Sequence, residues 1–248
     1  MLHQTRGIAL HSVKFSETSI IAKIYTEAFG LQSYLVRGIR RQNSKIKPGL
    51  FQPLTLLDLT VYHKEKRTLH SLKEVHNNYP YKTLTADIRK SSIALFINEL
   101  IYKAIREEEP NQELFDFLYD FCITLDKITG NFTLFPLSFI IRLSKFIGII
   151  PQVDDLPGNN IFNLKEGLFQ DHLPGHRYFL DPPLSLILKD LIKEEMISER
   201  PYSVVESRKT EALTVRNELL EQMLLYYKLH LPDFRDINSH RILHTILA

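Results

Sequence analysis

Near residue 80 the spacing of apolar residues changes from about two to about 3.6, and few folds accommodate both halves of such a chain. Before that point the sequence reads as strands. Stretches 6–13, 18–26, 31–37, 50–62 and 68–75 are rich in Ile, Leu, Val, Thr and Tyr. Turn signals separate them, among them Glu27-Ala28-Phe29-Gly30 and His63-Lys64-Glu65-Lys66-Arg67. Pro53, near the start of the fourth stretch, suggests an edge or a bulge. Five strands in about 75 residues, with short turns and one longer loop, match a small barrel such as an OB-fold, with an SH3-like barrel as the competing arrangement.

From Thr85 onward Ile93, Phe96, Ile97, Leu100, Ile101 and Ala104 follow the i, i+3, i+4, i+7 spacing of a helix with one buried face. Leu114, Phe117, Leu118, Phe121 and Leu125 repeat the pattern. A third helix is predicted over 134–147, closed by Gly148 with Pro151 beyond it. Further helices are expected at about 183–193, 211–229 and 239–247. The Pro- and Gly-rich stretch 151–183 reads as an irregular excursion. The chain is thus expected to be an α+β, multidomain protein: an OB-fold β-barrel over 1–80 for nucleic acid, then an all-helical domain over 81–248.

Charge divides at the same place. Residues 1–80 hold 12 Lys/Arg against five Asp/Glu (+7), and the remainder 19 against 24 (−5), although the whole chain is only +2. A polyanion suits the first part and a different partner the second. The first residues show no signal peptide, and no apolar run approaches the roughly 18 residues of a membrane span. With one cysteine, Cys122, no internal disulfide is possible, and a cytoplasmic, nucleoid-associated location is expected.

Arg37, Arg40, Arg41, Lys45 and Lys47 cluster in the loop between the third and fourth strands. A flexible basic loop there can follow a phosphate backbone without reading bases. Lys64, Lys66 and Arg67 make a second, smaller basic turn. Arg6 and Lys23 could extend the basic face, and Tyr25, Tyr34 and Phe51 are possible base-stacking rings. His172 and His176, like His240 and His244, sit four apart, but neither pair has the helix and Glu of a zinc-protease motif. No Gly-rich phosphate loop and no G-x-S-x-G elbow is present. A binding protein rather than an enzyme is expected, with no cofactor.

Three ordered stretches carry a resemblance. The first is Thr5-Arg6-Gly7-Ile8-Ala9-Leu10 leading into Phe15-Ser16-Glu17-Thr18-Ser19. The second is Phe29-Gly30 with Tyr34-Leu35-Val36-Arg37-Gly38-Ile39-Arg40-Arg41 and Leu50-Phe51-Gln52-Pro53. The third is Phe139-Ile140-Ile141-Arg142-Leu143-Ser144-Lys145-Phe146-Ile147-Gly148 with Pro151 after it. Together they resemble the RecO family along essentially the whole chain. The resemblance implies a DNA-repair and recombination mediator that binds single- and double-stranded DNA and anneals complementary strands coated by the single-stranded-DNA-binding protein SSB. It also implies RecA loading together with RecR. An oligonucleotide-binding protein of RNA metabolism is the alternative. Many relatives hold zinc through four cysteines after the third stretch; here Val153-Asp154-Asp155-Leu156 stands at the first pair and no Cys follows, so no metal is expected. The SSB tail bound by this family is acidic and apolar at its end. Phe139, Ile140, Leu143 and Phe146 with Arg142 and Lys145 are therefore expected to form a basic-rimmed groove for it.

Overall fold

The computed structural model describes the chain except residues 42, 43, 45, 65, 66, 107, 155, 198–208 and 248, and the side chains of 209–212. Its contacts group into two compact units, Met1–Lys127 and Ile128–Ala248. The change from strand to helix near residue 80 lies inside the first unit, where a barrel and two helices pack together.

The barrel is closed by β1 (Leu2–Lys14), β2 (Ile20–Thr26), β3 (Gly30–Val36), β4 (Leu56–Tyr62) and β5 (His70–Asn77) in the order β1-β2-β3-β5-β4. All neighbours are antiparallel except β3 and β5, which run parallel through Tyr34 with His70 and Leu35 with Ser71. This order, with a parallel closing pair, is the OB-fold arrangement expected from the strand count. Inward alternation places Ala9, Ala22, Ile24, Tyr34, Val36, Leu57, Leu59, Val61 and Val75 in one core. A Cβ on Gly7 would lie 2.7 Å from Leu59 Cδ1 and 2.8 Å from Ile24 Cγ2, so a side chain there would press on the core methyl groups of β4 and β2.

The expected fourth strand begins late. Pro48–Phe51 forms a 3₁₀ turn instead, and Leu54 takes a left-handed conformation (φ 60°). Leu54 is held there because its amide donates to Ala9 O at 2.7 Å while its carbonyl accepts the Tyr81 hydroxyl at 2.6 Å. Pro53 thus sits in the turn before the strand, not within it.

Helix α1 (Ile88–Ala104) starts at Asp87, whose carboxylate accepts the Arg89 amide, and buries Ile93, Phe96, Ile97, Leu100 and Ile101. Asn98 Nδ2 donates to Leu10 O on β1 at 3.0 Å. Helix α2 (Gln112–Lys127) buries Leu114, Phe115, Leu118, Phe121, Cys122 and Leu125. Burial pushes the Cys122 thiol up to about 12, so at neutral pH it is a packed thiol and no nucleophile.

In the second unit, α3 (Phe135–Phe146) is covered on most of its surface and packs on α4 (Leu184–Ile197) and α5 (Lys209–His230). A short α6 (His240–Ile246) follows. The stretch expected to be irregular contains a three-stranded antiparallel sheet: β6 (Ile161–Asn163) lies between β7 (Leu168–Gln170) and β8 (Phe179–Leu180). Phe162 packs on Phe169 and Tyr226 with ring centroids 4.8 and 5.7 Å apart, so the sheet has an apolar anchor and the unit is not all-helical. Among the described residues no helix is long and apolar enough to cross a membrane.

Candidate nucleic-acid interface

The connection between β3 and β4 is fastened at both ends. Gly38 (φ 71°) turns the chain, the Arg41 amide donates to Gly38 O at 3.1 Å and the Ser44 amide to Arg41 O at 3.1 Å. Ile39 on one side and Phe51 on the other are buried in the barrel core, with Ile46 and Leu50 packed against it. The Arg40 amide donates to Thr18 O in the β1–β2 turn at 3.3 Å. Between these anchors Arg37, Arg40, Arg41 and Lys47 are exposed. None of the four makes an ion pair among the described residues. The two ends of this basic loop are thus anchored with their cations outward, and Lys45, like residues 42 and 43, lies outside the described residues.

Lys64 and Arg67 are exposed in a turn closed by the Arg67 amide on Lys64 O at 3.0 Å, and Lys66 lies outside the described residues. This turn leaves the opposite end of the barrel. The 37–55 connection adjoins the β1–β2 turn, whereas the 63–69 connection adjoins the amino terminus, where the Met1 ammonium donates to His63 O at 3.0 Å. At this second end His63 stacks between Phe29 (3.9 Å) and His70 (4.2 Å). Burial, and then His63, hold the His70 imidazole below its ordinary value, with Glu108 opposing them.

Two other expectations for the barrel are corrected. Arg6 does not extend the basic face. Its guanidinium donates twice to Glu27 (2.9 and 2.8 Å) and once to Asp116 (3.2 Å). Its carbon also lies 5.0 and 4.9 Å from the ring centroids of Phe115 and Tyr119. The hydrogen bond to Arg6 holds the Glu27 carboxyl below the usual carboxylate range. Tyr25, Tyr34 and Phe51 are buried core rings that no base can reach. Lys23 is half-buried on β2. The exposed ring at the Arg40 end is Phe15, at the tip of the β1–β2 hairpin, with Lys14 exposed beside it. An aromatic residue placed in a turn, outside either alternating strand face, was the signal in the sequence.

The groove expected on α3 is closed. Phe139, Ile140 and Leu143 are fully buried. Arg142 Nε donates at 2.5 Å to the buried Glu195 of α4, Phe146 is half-buried, and only Lys145 is exposed. The apolar residues are the unit's core and the arginine answers a carboxylate 53 residues away.

Among the described residues no group of three or more His, Cys, Asp or Glu side chains could hold a metal ion. His172 pairs with Asp171 at 2.8 Å, and His240 and His244 meet edge to face at 5.5 Å with Glu221 Oε1 3.7 Å from His244 Nδ1. Asp154 accepts from the Asn159 amide group at 3.0 and 3.2 Å and lies 3.8 Å from Lys189 Nζ.

Comparison with known proteins agrees with this architecture. Residues 1–80 match the family model "Recombination protein O N terminal" and residues 85–156 match "Recombination protein O C terminal". The chain is 33% identical over 248 residues to the DNA repair protein RecO of Phocaeicola vulgatus, covering all of both chains. It is 34% identical over 244 residues to that of Bacteroides fragilis, with 98% of each covered, and 34% over 251 residues to that of Flavobacterium johnsoniae, with 99% of each covered. On its closed five-stranded barrel, its helical continuation and this full-length similarity, the chain belongs to the RecO family.

Proposed function

We propose that the chain is a DNA-binding protein of repair and recombination that works without covalent chemistry. It holds single- and double-stranded DNA by the phosphate backbone, anneals complementary strands coated by SSB, and with RecR promotes loading of RecA. The observation that carries the reading is the set of four exposed cations, Arg37, Arg40, Arg41 and Lys47, on a frame pinned by Ile39 and Phe51. Side chains that pair with no carboxylate among the described residues are available to phosphates, and an anchored frame loses less entropy on binding than a loose one. Contacts to sugar and phosphate carry no base information, as repair at any sequence requires. Neutralised phosphates lower repulsion between strands, and tethering to SSB raises their local concentration.

The test is single-strand affinity across a salt series for the native chain and for Arg37→Ala/Arg40→Ala/Arg41→Ala. Each lost contact makes the log–log slope shallower by about 0.7, so the triple variant is expected to change it by about 2. An unchanged slope removes this connection from DNA binding. The mediator role is read by annealing of SSB-coated strands with and without RecR, and loss of annealing in the same variant is expected.

A further inference from the structure

The hairpin between β1 and β2 closes tightly: the amides of Phe15 and Ser16 both donate to Ser19 O, at 3.0 and 3.2 Å. Ser19 is buried, so the turn is seated on the barrel while its tip projects. The ring at that tip, Phe15, is 58% exposed and makes no ring contact among the described residues. Thr18 of the same turn accepts the Arg40 amide, which brings Phe15 and Lys14 to the end of the barrel that carries Arg37, Arg40 and Arg41. An exposed phenyl ring on a rigid turn gains nothing in the free protein. Beside cations that make no ion pair among the described residues it has the composition of a single-strand site, in which charges follow the backbone and an aromatic face meets a base.

We propose that Phe15 stacks on an unpaired nucleobase of the strand whose phosphates the 37–47 cations hold. The inference rests on the nucleic-acid reading above and adds a determinant to it: the ring engages bases only where they are unstacked, so this end of the barrel prefers single strands to duplex. Stacking tolerates any base, because every base offers a π-face.

Phe15→Ala, Phe15→Trp and the native chain are titrated with a thymidine oligonucleotide, the same length of abasic strand, and a blunt duplex. One stack corresponds to about a 5- to 140-fold change in affinity. The expected result is a loss of about tenfold for Phe15→Ala on the thymidine strand, no loss on the abasic strand or the duplex, and an unchanged salt slope. The chain contains no tryptophan, so Phe15→Trp is a single emitter at the site. It is expected to bind like the native chain and to be quenched by the thymidine strand and not by the abasic one. Equal losses on both strands, no loss at all, or emission indifferent to bases overturns the proposal. A Phe15→Ala effect confined to self-association or protein binding overturns it in the same way. Failure of the underlying grip appears separately, as an unchanged salt slope in the arginine variant.

Discussion

Asp126, in the last turn of α2, is buried and ties that helix to the segment leaving the barrel. Its Oδ1 accepts the amides of Thr83 and Leu84 at 2.8 Å and of Lys82 at 3.0 Å, and its Oδ2 accepts Lys82 at 3.1 Å and the Tyr79 hydroxyl at 3.2 Å. Lys90 Nζ donates to its main-chain carbonyl at 2.8 Å. Burial pushes the carboxyl up, but the backbone donors outweigh it and hold it below the ordinary value. In Asp126→Asn the carbonyl oxygen can keep Thr83 and Leu84, while the amide group faces the Lys82 N–H and the charge near Lys90 is lost. With charged hydrogen bonds worth about 1.5–3 kcal/mol, a cost of about 2 kcal/mol is expected. Asp126→Ala leaves all three amides without an acceptor and is expected to cost about 4 kcal/mol. At about 2.1 cal/mol/K per residue, a transition of the 127-residue unit alone falls by about 7 °C for Asn and about 15 °C for Ala. If the whole chain melts together the falls are about half as large. Calorimetry at pH 7 reads both the shift and the number of transitions. Because the folded carboxyl titrates below its unfolded value near 3.8, its stabilisation is complete above that pH and is lost as pH falls through the folded value. The native and Asn proteins should therefore converge in acid. An Ala variant within about 1 °C of the native midpoint would refute the reasoning.

Arg6→Ala should destabilise the first unit by about 1–3 kcal/mol in denaturant titration and leave the DNA salt slope unchanged, since its guanidinium serves Glu27 and Asp116. His70 and His244 are held below their ordinary value of 6.5, chiefly by burial, so the unfolded chain binds more protons below about pH 6.5 and stability falls there. Thermal midpoints between pH 7.5 and 5 should drop less in His70→Asn, whose oxygen can accept the Lys64 amide that His70 Nδ1 accepts at 3.4 Å. Phe139→Ala should cost about 3–5 kcal/mol in a melt of the second unit by emptying its core, with DNA affinity unaltered when assayed below the transition.

The barrel-then-helices order was legible because Ile- and Thr-rich strand stretches such as Ile20–Thr26 give way to the helical spacing that Ile93 to Ile101 keeps. The small sheet was not, since strands of two or three residues, such as Phe179–Leu180, are too short to declare a period. Leu54 departs from the strand expected around it because Ala9 and Tyr81, distant in sequence, hold it. The same blindness to distance misassigned Arg6 and Arg142, whose partners Asp116 and Glu195 are 110 and 53 residues away. On α3, a helix buried nearly all round looks like a half-exposed one when two basic residues punctuate it. The placement of the two basic loops at opposite ends of the barrel depends on strand direction, which composition does not carry.

The parallel joint of the barrel is its shortest. Along the other four joints the strands are laced over most of their length, whereas β3 and β5 meet through Tyr34–His70 and Leu35–Ser71 alone. A cylinder with one short seam parts there first, so amide exchange at the start of β5 should outpace exchange in β1 and β2. The stacked Phe29, His63 and His70 rings sit at the foot of that seam and act as its button. Loosening them would unfasten the turn that carries Lys64 and Arg67.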